Sequence, residues 1–208
     1  MIPAIRRSDS RDTRSTIVQA VTQFVAGVLF AVLTASPLQA QTGNDDDPFA
    51  RRGWYLELGG QGALETWNYN VSHEDLCGLD IGLTYGLGNG ITLRAAWPFY
   101  YVAQRGINAY MLGTTIGVRA RIYGRGRVSV FLEGQVGVSE ADTFVPPGGT
   151  RFNYLAIGGA GFTTRVGPGL HLLTGLKLTH VSNNGLAGRS RNPDLEAVGP
   201  YAALLMKF

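Results

Sequence analysis

One cysteine in 208 residues leaves no partner for a disulfide within the chain, which excludes a disulfide-stapled scaffold. Charged residues make up 16% of the chain, against roughly 25% in soluble domains. With 45% hydrophobic residues, this also excludes intrinsic disorder, which needs low hydrophobicity and high net charge. A mean hydropathy of +0.04 is too low for a bundle of membrane helices, each of which needs about 20 predominantly apolar residues. Three dispersed histidines and a lone Cys77 offer no metal-ligand spacing, so neither metal nor cofactor is implied. Basicity is scarce too. Four of the 18 basic residues (Arg6, Arg7, Arg11, Arg14) and two of the 15 acidic ones (Asp9, Asp12) fall in the first 40 positions. The remainder is nearly neutral and gives no case for nucleic acid.

Glycine is abundant, with 29 residues, about twice the usual share. The N-terminal region carries a different signature. A basic stretch at 6–14 precedes an apolar segment at 25–35, and Ser36-Pro37-Leu38-Gln39-Ala40 follows with a small residue at the cleavage edge. That order is the one of a secretory signal over 1–40. The rival reading, a membrane anchor from Ile17, is weakened by Gln19, Thr22 and Gln23. Cleavage after Ala40 leaves 41–52, with Asp45, Asp46 and Asp47, as a short loose periplasmic leader ahead of a domain over 53–208.

That domain breaks into segments of about ten residues, each alternating apolar with polar or small side chains. Strands are expected at 53–64, 78–87, 91–101, 109–123, 127–138, 153–165, 169–182 and 195–208. In the fourth, Tyr110, Leu112, Thr114, Ile116, Val118, Ala120 and Ile122 share one face, and Arg119 and Arg121 share the other. Glu57, Arg94, Lys177 and Lys207 likewise oppose the aliphatic face, whereas the sixth segment does not disclose its faces. A soluble eight-stranded barrel with an internal ligand would place the apolar face inside. A transmembrane barrel places it outside, with the charges in the lumen.

Three features favour the transmembrane form: an eight-stranded antiparallel outer-membrane β-barrel. There is an export signal. The loops alternate long and short, at 65–77, 88–90, 102–108, 124–126, 139–152, 166–168 and 183–194. The last strand ends on Phe208, with Met206, Leu204 and Ala202 on its face, which resembles the assembly signal of bacterial outer-membrane barrels. Trp54, Trp67, Trp97, Phe99, Tyr100 and Tyr101 lie near strand ends, as an interfacial girdle requires.

The seventh strand carries the chemistry. Its apolar face (Leu170, Leu172, Thr174, Leu176, Leu178) continues by the same alternation into His180 and Ser182. Polar groups on the lipid side are costly unless paired, and tend to mark function. Side chains at i and i+2 of a strand share a face roughly 6–7 Å apart at the backbone. Imidazole can then reach hydroxyl, as activation of a nucleophile requires. A third group must orient the imidazole. Glu196 shares the lipid face of the eighth strand with Val198, and Asp194 has the same parity, so both stand as candidates. On spacing alone an interfacial His beside an ordinary Ser-Asn-Asn-Gly turn explains these residues as well.

His180-Val181-Ser182-Asn183-Asn184-Gly185, followed by Asn192-Pro193-Asp194-Leu195-Glu196 and a terminal strand, resembles the lipid A 3-O-deacylases (the PagL family). The match covers 180–196. The resemblance implies an outer-membrane serine esterase that removes the 3-O-linked acyl chain of lipid A in lipopolysaccharide. It assigns Ser182 as nucleophile, His180 as general base and Glu196 as orienting acid. Asn183 and the backbone N–H of Gly185 would form the oxyanion hole. It also implies residence in the outer membrane with the active site facing the outer leaflet. The loop before the acid is slightly longer than in that pattern, which keeps Asp194 open beside Glu196. Assembly as a homodimer is left open. A non-catalytic barrel for adhesion or envelope integrity is the alternative, and an esterase acting on phospholipid a third reading.

Other motifs are bland. His73, in Ser72-His73-Glu74-Asp75, reads as a solvated loop residue, and His171 as a structural residue on the lumen side. Gly124-Arg125-Gly126-Arg127 reads as a tight charged turn without the following helix of a phosphate cradle.

Overall fold

The computed structural model describes residues 46–66, 73–188 and 191–208. The signal expected over 1–40, Trp67 and Ser72 lie outside the described residues. Eight strands run in chain order: β1 (Trp54–Glu65), β2 (Asp75–Gly88), β3 (Ile91–Ala103), β4 (Ala109–Arg125), β5 (Val128–Val145), β6 (Thr150–Gly167), β7 (Leu170–Ser182) and β8 (Leu195–Lys207). Each pairs antiparallel with its neighbour, and β8 returns to β1 with Leu58 opposite Leu204, closing the barrel. Closure leaves no exposed sheet edge.

The alternation sorts side chains as expected. Leu79, Ile116 and Val136 on the exterior are each about 62% exposed, within a belt that includes Leu58, Ile81, Trp97, Phe99, Leu112, Leu132, Phe162 and Leu176. So continuous an apolar exterior fits hydrocarbon rather than water. The barrel is therefore of the transmembrane kind, with its charges inside.

The lumen is packed in three layers. At the long-loop end Tyr100, Val102, Met111, Leu155, Val181 and Leu195 form an apolar layer. At the short-turn end Phe49, Tyr55, Phe131, Leu173, Tyr201 and Leu205 form another. Between them three carboxylates meet three cations. Glu57 pairs with Arg94 at 3.0 Å and Arg119 at 3.1 Å, Glu133 with Arg119 at 2.8 Å, and Asp80 with Arg94 at 2.7 Å and Lys177 at 3.5 Å. Glycine makes room for the large side chains: a Cβ on Gly78 would lie 2.3 Å from the Tyr100 ring.

Removing one partner of a buried ion pair strands the others. Glu57→Ala, which leaves two guanidiniums sharing too few carboxylates, is expected to lower the unfolding free energy by about 3–5 kcal/mol. Urea titration of the detergent-folded barrel measures it. A loss no larger than that of an exposed pair, about 1 kcal/mol or less, contradicts the central role of Glu57.

Four expectations change. The loop at 139–152 shrinks to a turn at 146–149, because β5 and β6 extend to pair Val145 with Thr150. Thr143, Phe144, Val145, Thr150 and Phe152 are β-branched or aromatic and suit a ladder. The chain reverses only at Pro146-Pro147-Gly148-Gly149, where Gly148 takes φ +85°. Tyr100 is not in the girdle but in the lumen, 2% exposed. The faces of β6 become plain: Asn153, Leu155, Ile157 and Thr163 point inward, while Tyr154 and Phe162 point outward among Ala156, Gly158 and Ala160. Finally, the leader is not loose where it is described. Residues 46–52 close the short-turn end, Phe49 is buried, and Arg52 N–H donates to Gly86 O at 2.8 Å. Gly86 is required there, since a Cβ would lie 1.8 Å from Ala50 O.

Candidate active site

His180 and Ser182 occupy the last turn of pleat on the exterior of β7, where Ala156 and Tyr154 of β6 lie opposite them on one side. On the other side the β7–β8 register sets His180 directly against Glu196. Three side chains from two adjacent strands thus meet on one face.

The geometry is that of a relay. The Ser182 Oγ lies 3.0 Å from His180 Nε2, and His180 Nδ1 lies 3.2 Å from Glu196 Oε1. A carboxylate only accepts, so Nδ1–H donates to Glu196. In the neutral ring Nε2 is then the acceptor for the Ser182 hydroxyl. Ser182 is buried at 8% exposure, while the His180 and Glu196 side chains remain 32% and 27% exposed. The pair of candidate acids separates: Glu196 contacts the imidazole, whereas Asp194 Oδ1 accepts from Asn192 Nδ2 at 3.4 Å.

Beyond Ser182 the backbone must leave the strand at once. Asn184 and Gly185 take φ of 52° and 74°, the left-handed region that Asn and Gly tolerate best. Asn183, 2% exposed, organises this turn. Its Nδ2 donates to Arg191 O and, at 3.1 Å, to Thr150 Oγ1; its Oδ1 accepts from Gly185 N–H at 2.9 Å. Its own N–H donates to Asn192 Oδ1 at 3.0 Å. Both expected oxyanion donors, Asn183 and Gly185, therefore lie beside the serine but are engaged within the loop. Thr150, Arg191 and Asn192 are residues that sequence reasoning did not single out. Arg191 and Asn192 lay inside the 180–196 match, and nothing in their spacing disclosed these bonds.

A shallow depression of about 400 Å³ runs along the barrel exterior from His180. Ile116, Val118, Val136 and Leu178 wall it, and Gly134 and Gly158 floor it. A Cβ at either glycine would meet nothing within 4 Å, so the depression exists because two side chains are missing. Among the described residues no group of three His, Cys, Asp or Glu is placed to hold a metal ion.

His171 is structural in character: its Nε2 lies 2.6 Å from Asp46 O, at the opposite end of the barrel. His73 is half exposed, with Nδ1 3.4 Å from Glu65 Oε2.

No protein-family model and no curated protein matches the sequence. Solved structures share its fold, and two of them align with TM-scores above 0.5. Neisserial surface protein A aligns over 74% of this chain and 97% of its own, at 12% identity and a TM-score of 0.57. The outer membrane enzyme PagL aligns over 71% of this chain and 97% of its own, at 15% identity and a TM-score of 0.53. At these identities the likeness is one of fold, that of the small outer-membrane barrels.

Proposed function

We propose that the chain is an outer-membrane serine esterase that hydrolyses the 3-O-linked acyl chain of lipid A. The observation that carries the reading is the Ser182–His180–Glu196 relay on a face otherwise given to hydrocarbon, at 3.0 and 3.2 Å. A bland interfacial histidine would have no need of both partners. Placing the long-loop end at the cell exterior sets this relay in the outer leaflet, where lipopolysaccharide resides.

In this account Ser182 Oγ attacks the ester carbonyl while His180 Nε2 takes its proton, and Glu196 stabilises the imidazolium that forms. The proton then passes to the departing sugar 3-oxygen, leaving an acyl-enzyme and a free hydroxyl. Water attacks the acyl-enzyme, giving up a proton through His180 to Ser182, and a fatty acid departs. Asn183 and the Gly185 N–H are the assigned oxyanion donors. Substrate would have to draw the Asn183 amide from the Thr150 hydroxyl, or the Gly185 N–H from Asn183 Oδ1. Each donor so recruited is worth about 2.7–4 kcal/mol of barrier.

The depression floored by Gly134 and Gly158 begins at His180 and fits the acyl chain being cleaved. Gly158→Leu fills it. That variant is expected to lower kcat/KM for long-chain esters about tenfold or more, with short-chain ester hydrolysis unchanged. Equal effects on both substrates would detach the depression from catalysis.

The reading is tested by incubating the purified, detergent-folded barrel with lipid A and, separately, with phospholipid, and identifying the released acid by chromatography. Release of a 3-hydroxy fatty acid from lipid A supports it. Release from phospholipid alone transfers the same relay to another substrate. Release from neither moves the non-catalytic barrel ahead.

A further inference from the structure

A catalytic donor misplaced by about 1 Å costs on the order of a hundredfold in rate, so the Asn183 amide must be fixed against Ser182 as well as near it. Ser182 ends β7 and pairs with Tyr154 of β6, which fixes the serine to the barrel. Asn183 lies one residue beyond the strand, and its side chain needs an anchor of its own.

Two backbone groups set the polarity of that amide. Gly185 N–H only donates and reaches Asn183 Oδ1 at 2.9 Å, while Arg191 O only accepts and takes one Nδ2 proton. The Asn183 backbone N–H donates to Asn192 Oδ1 at 3.0 Å. All three partners belong to the segment between β7 and β8 and move with it. The second Nδ2 proton goes to Thr150 Oγ1 at 3.1 Å. Thr150 is the first residue of β6, the strand that pairs with β7 from Leu170 to Ser182. Of the four bonds, this one alone joins the amide to a strand.

Thr150 is set to receive that proton. Its Oγ1 lies 2.7 Å from Phe152 O, and Asn153 Oδ1 stands further off at 3.4 Å. With its single proton given to Phe152 O, the hydroxyl presents lone pairs to Asn183. Asn153, 1% exposed, donates Nδ2 to Thr150 O at 3.1 Å and holds the residue in place. The same hairpin end meets the β7–β8 segment twice more. Arg191 Nη2 donates to Gly149 O at 3.3 Å, and the Arg191 guanidinium lies over the Phe144 ring at 5.5 Å.

Given the esterase reading, we propose that Thr150 is a positioning residue whose hydroxyl ties the Asn183 amide to β6 and so holds an oxyanion donor in place against Ser182. Thr150 touches no reacting atom. As negative charge develops on the carbonyl oxygen, the N–H resting on Thr150 turns to it, while Arg191 O and Gly185 N–H keep the amide plane. Without the hydroxyl, the amide is fastened only to a loop.

The test compares Thr150→Val with Thr150→Ser in the full, detergent-folded barrel, with heat-modifiable gel mobility checking each fold. The first readout is nuclear magnetic resonance of asparagine side-chain amides, in which the Asn183 signal is identified by its loss in Asn183→Ala. Thr150→Val is expected to shift that signal and to speed the solvent exchange of one of its protons, and Thr150→Ser to leave it near the wild-type position. An Asn183 signal untouched by Thr150→Val overturns the proposal.

The second readout is hydrolysis of lipid A. Thr150→Val is expected to lower kcat about tenfold with KM within about twofold, a part of the roughly 10²- to 10³-fold that one oxyanion donor supplies. Thr150→Ser is expected to restore kcat. The double variant Thr150→Val/Asn183→Ala should be no slower than Asn183→Ala, since Thr150 acts only through that amide. Arg151→Gln should leave kcat unchanged, because the Arg151 contacts with Ala141 O and Glu140 stay within the β5–β6 hairpin. Losses that multiply in the double variant overturn the proposal, as does a loss in Arg151→Gln equal to that in Thr150→Val. So does a kcat raised by Thr150→Val, which would make the hydroxyl a competitor for the donor. If the wild type hydrolyses nothing while the Asn183 signal responds as expected, the esterase reading falls and the Thr150 bond is structural only.

Discussion

Replacing His180 with alanine is expected to lower the rate of ester hydrolysis roughly 10⁴- to 10⁶-fold, and Ser182→Ala to do the same. The double variant is expected to be no worse than either single one, because the two groups act as a unit. Without the imidazole at 3.0 Å, the serine hydroxyl has no acceptor for its proton. Without the hydroxyl, the imidazole has nothing to activate at that position. Initial rates on purified lipid A, measured for both single variants and the double, check this. Losses that multiply in the double variant would mean that His180 and Ser182 act independently, which the relay forbids. Stability should change little, since both side chains lie on the exterior and neither takes part in the lumenal ion network.

Glu196 is expected to matter almost as much. Glu196→Ala should lower the rate by roughly 10⁴-fold, while Asp194→Asn should leave it within experimental scatter. The carboxylate at 3.2 Å holds Nδ1–H and so keeps Nε2 as the acceptor facing Ser182. Glu196→Gln is the sharper form of the test. It preserves size and register, but its amide can donate to Nδ1 and so favour the wrong tautomer. Comparable losses from the Gln and Ala variants show that the carboxylate's accepting role matters, rather than its bulk. A large loss in Asp194→Asn with none in Glu196→Gln would reverse the assignment of the acid.

The relay was legible in advance because a strand's side-chain period is two. Once Leu170–Leu178 marked the lipid face of β7, His180 and Ser182 had to lie on it, and Val198–Met206 placed Glu196 likewise. The rival Asp194 shares that parity. Only the register, His180 opposite Glu196, separates the two, and register across a loop is not written in alternation. The sixth strand hid its faces for a physical reason. Its lumen side carries Leu155 and Ile157, while Ala156, Gly158 and Ala160 face lipid, so polarity and size no longer report side. That same inversion creates the depression beside His180.

Other features depend on contacts remote in sequence. The plug at 46–52 has no periodicity of its own. Its order comes from Gly86, Arg121, Gly169 and His171, none of which is near it in the chain. The bond that engages Asn183 with Thr150 forms because β6 begins at Thr150, within the loop expected over 139–152. A run with Glu140 and Asp142 reads as loop until Glu140 is found opposite Phe152 and Val145 opposite Thr150.

The most direct test of the central claim is mass spectrometry of lipid A from Gram-negative cells expressing the wild type or Ser182→Ala, with folding of both checked by heat-modifiable gel mobility. The account predicts loss of one 3-hydroxyacyl mass in the wild type and intact lipid A in the variant. Identical spectra from the two folded proteins, whether both intact or both deacylated, would contradict it.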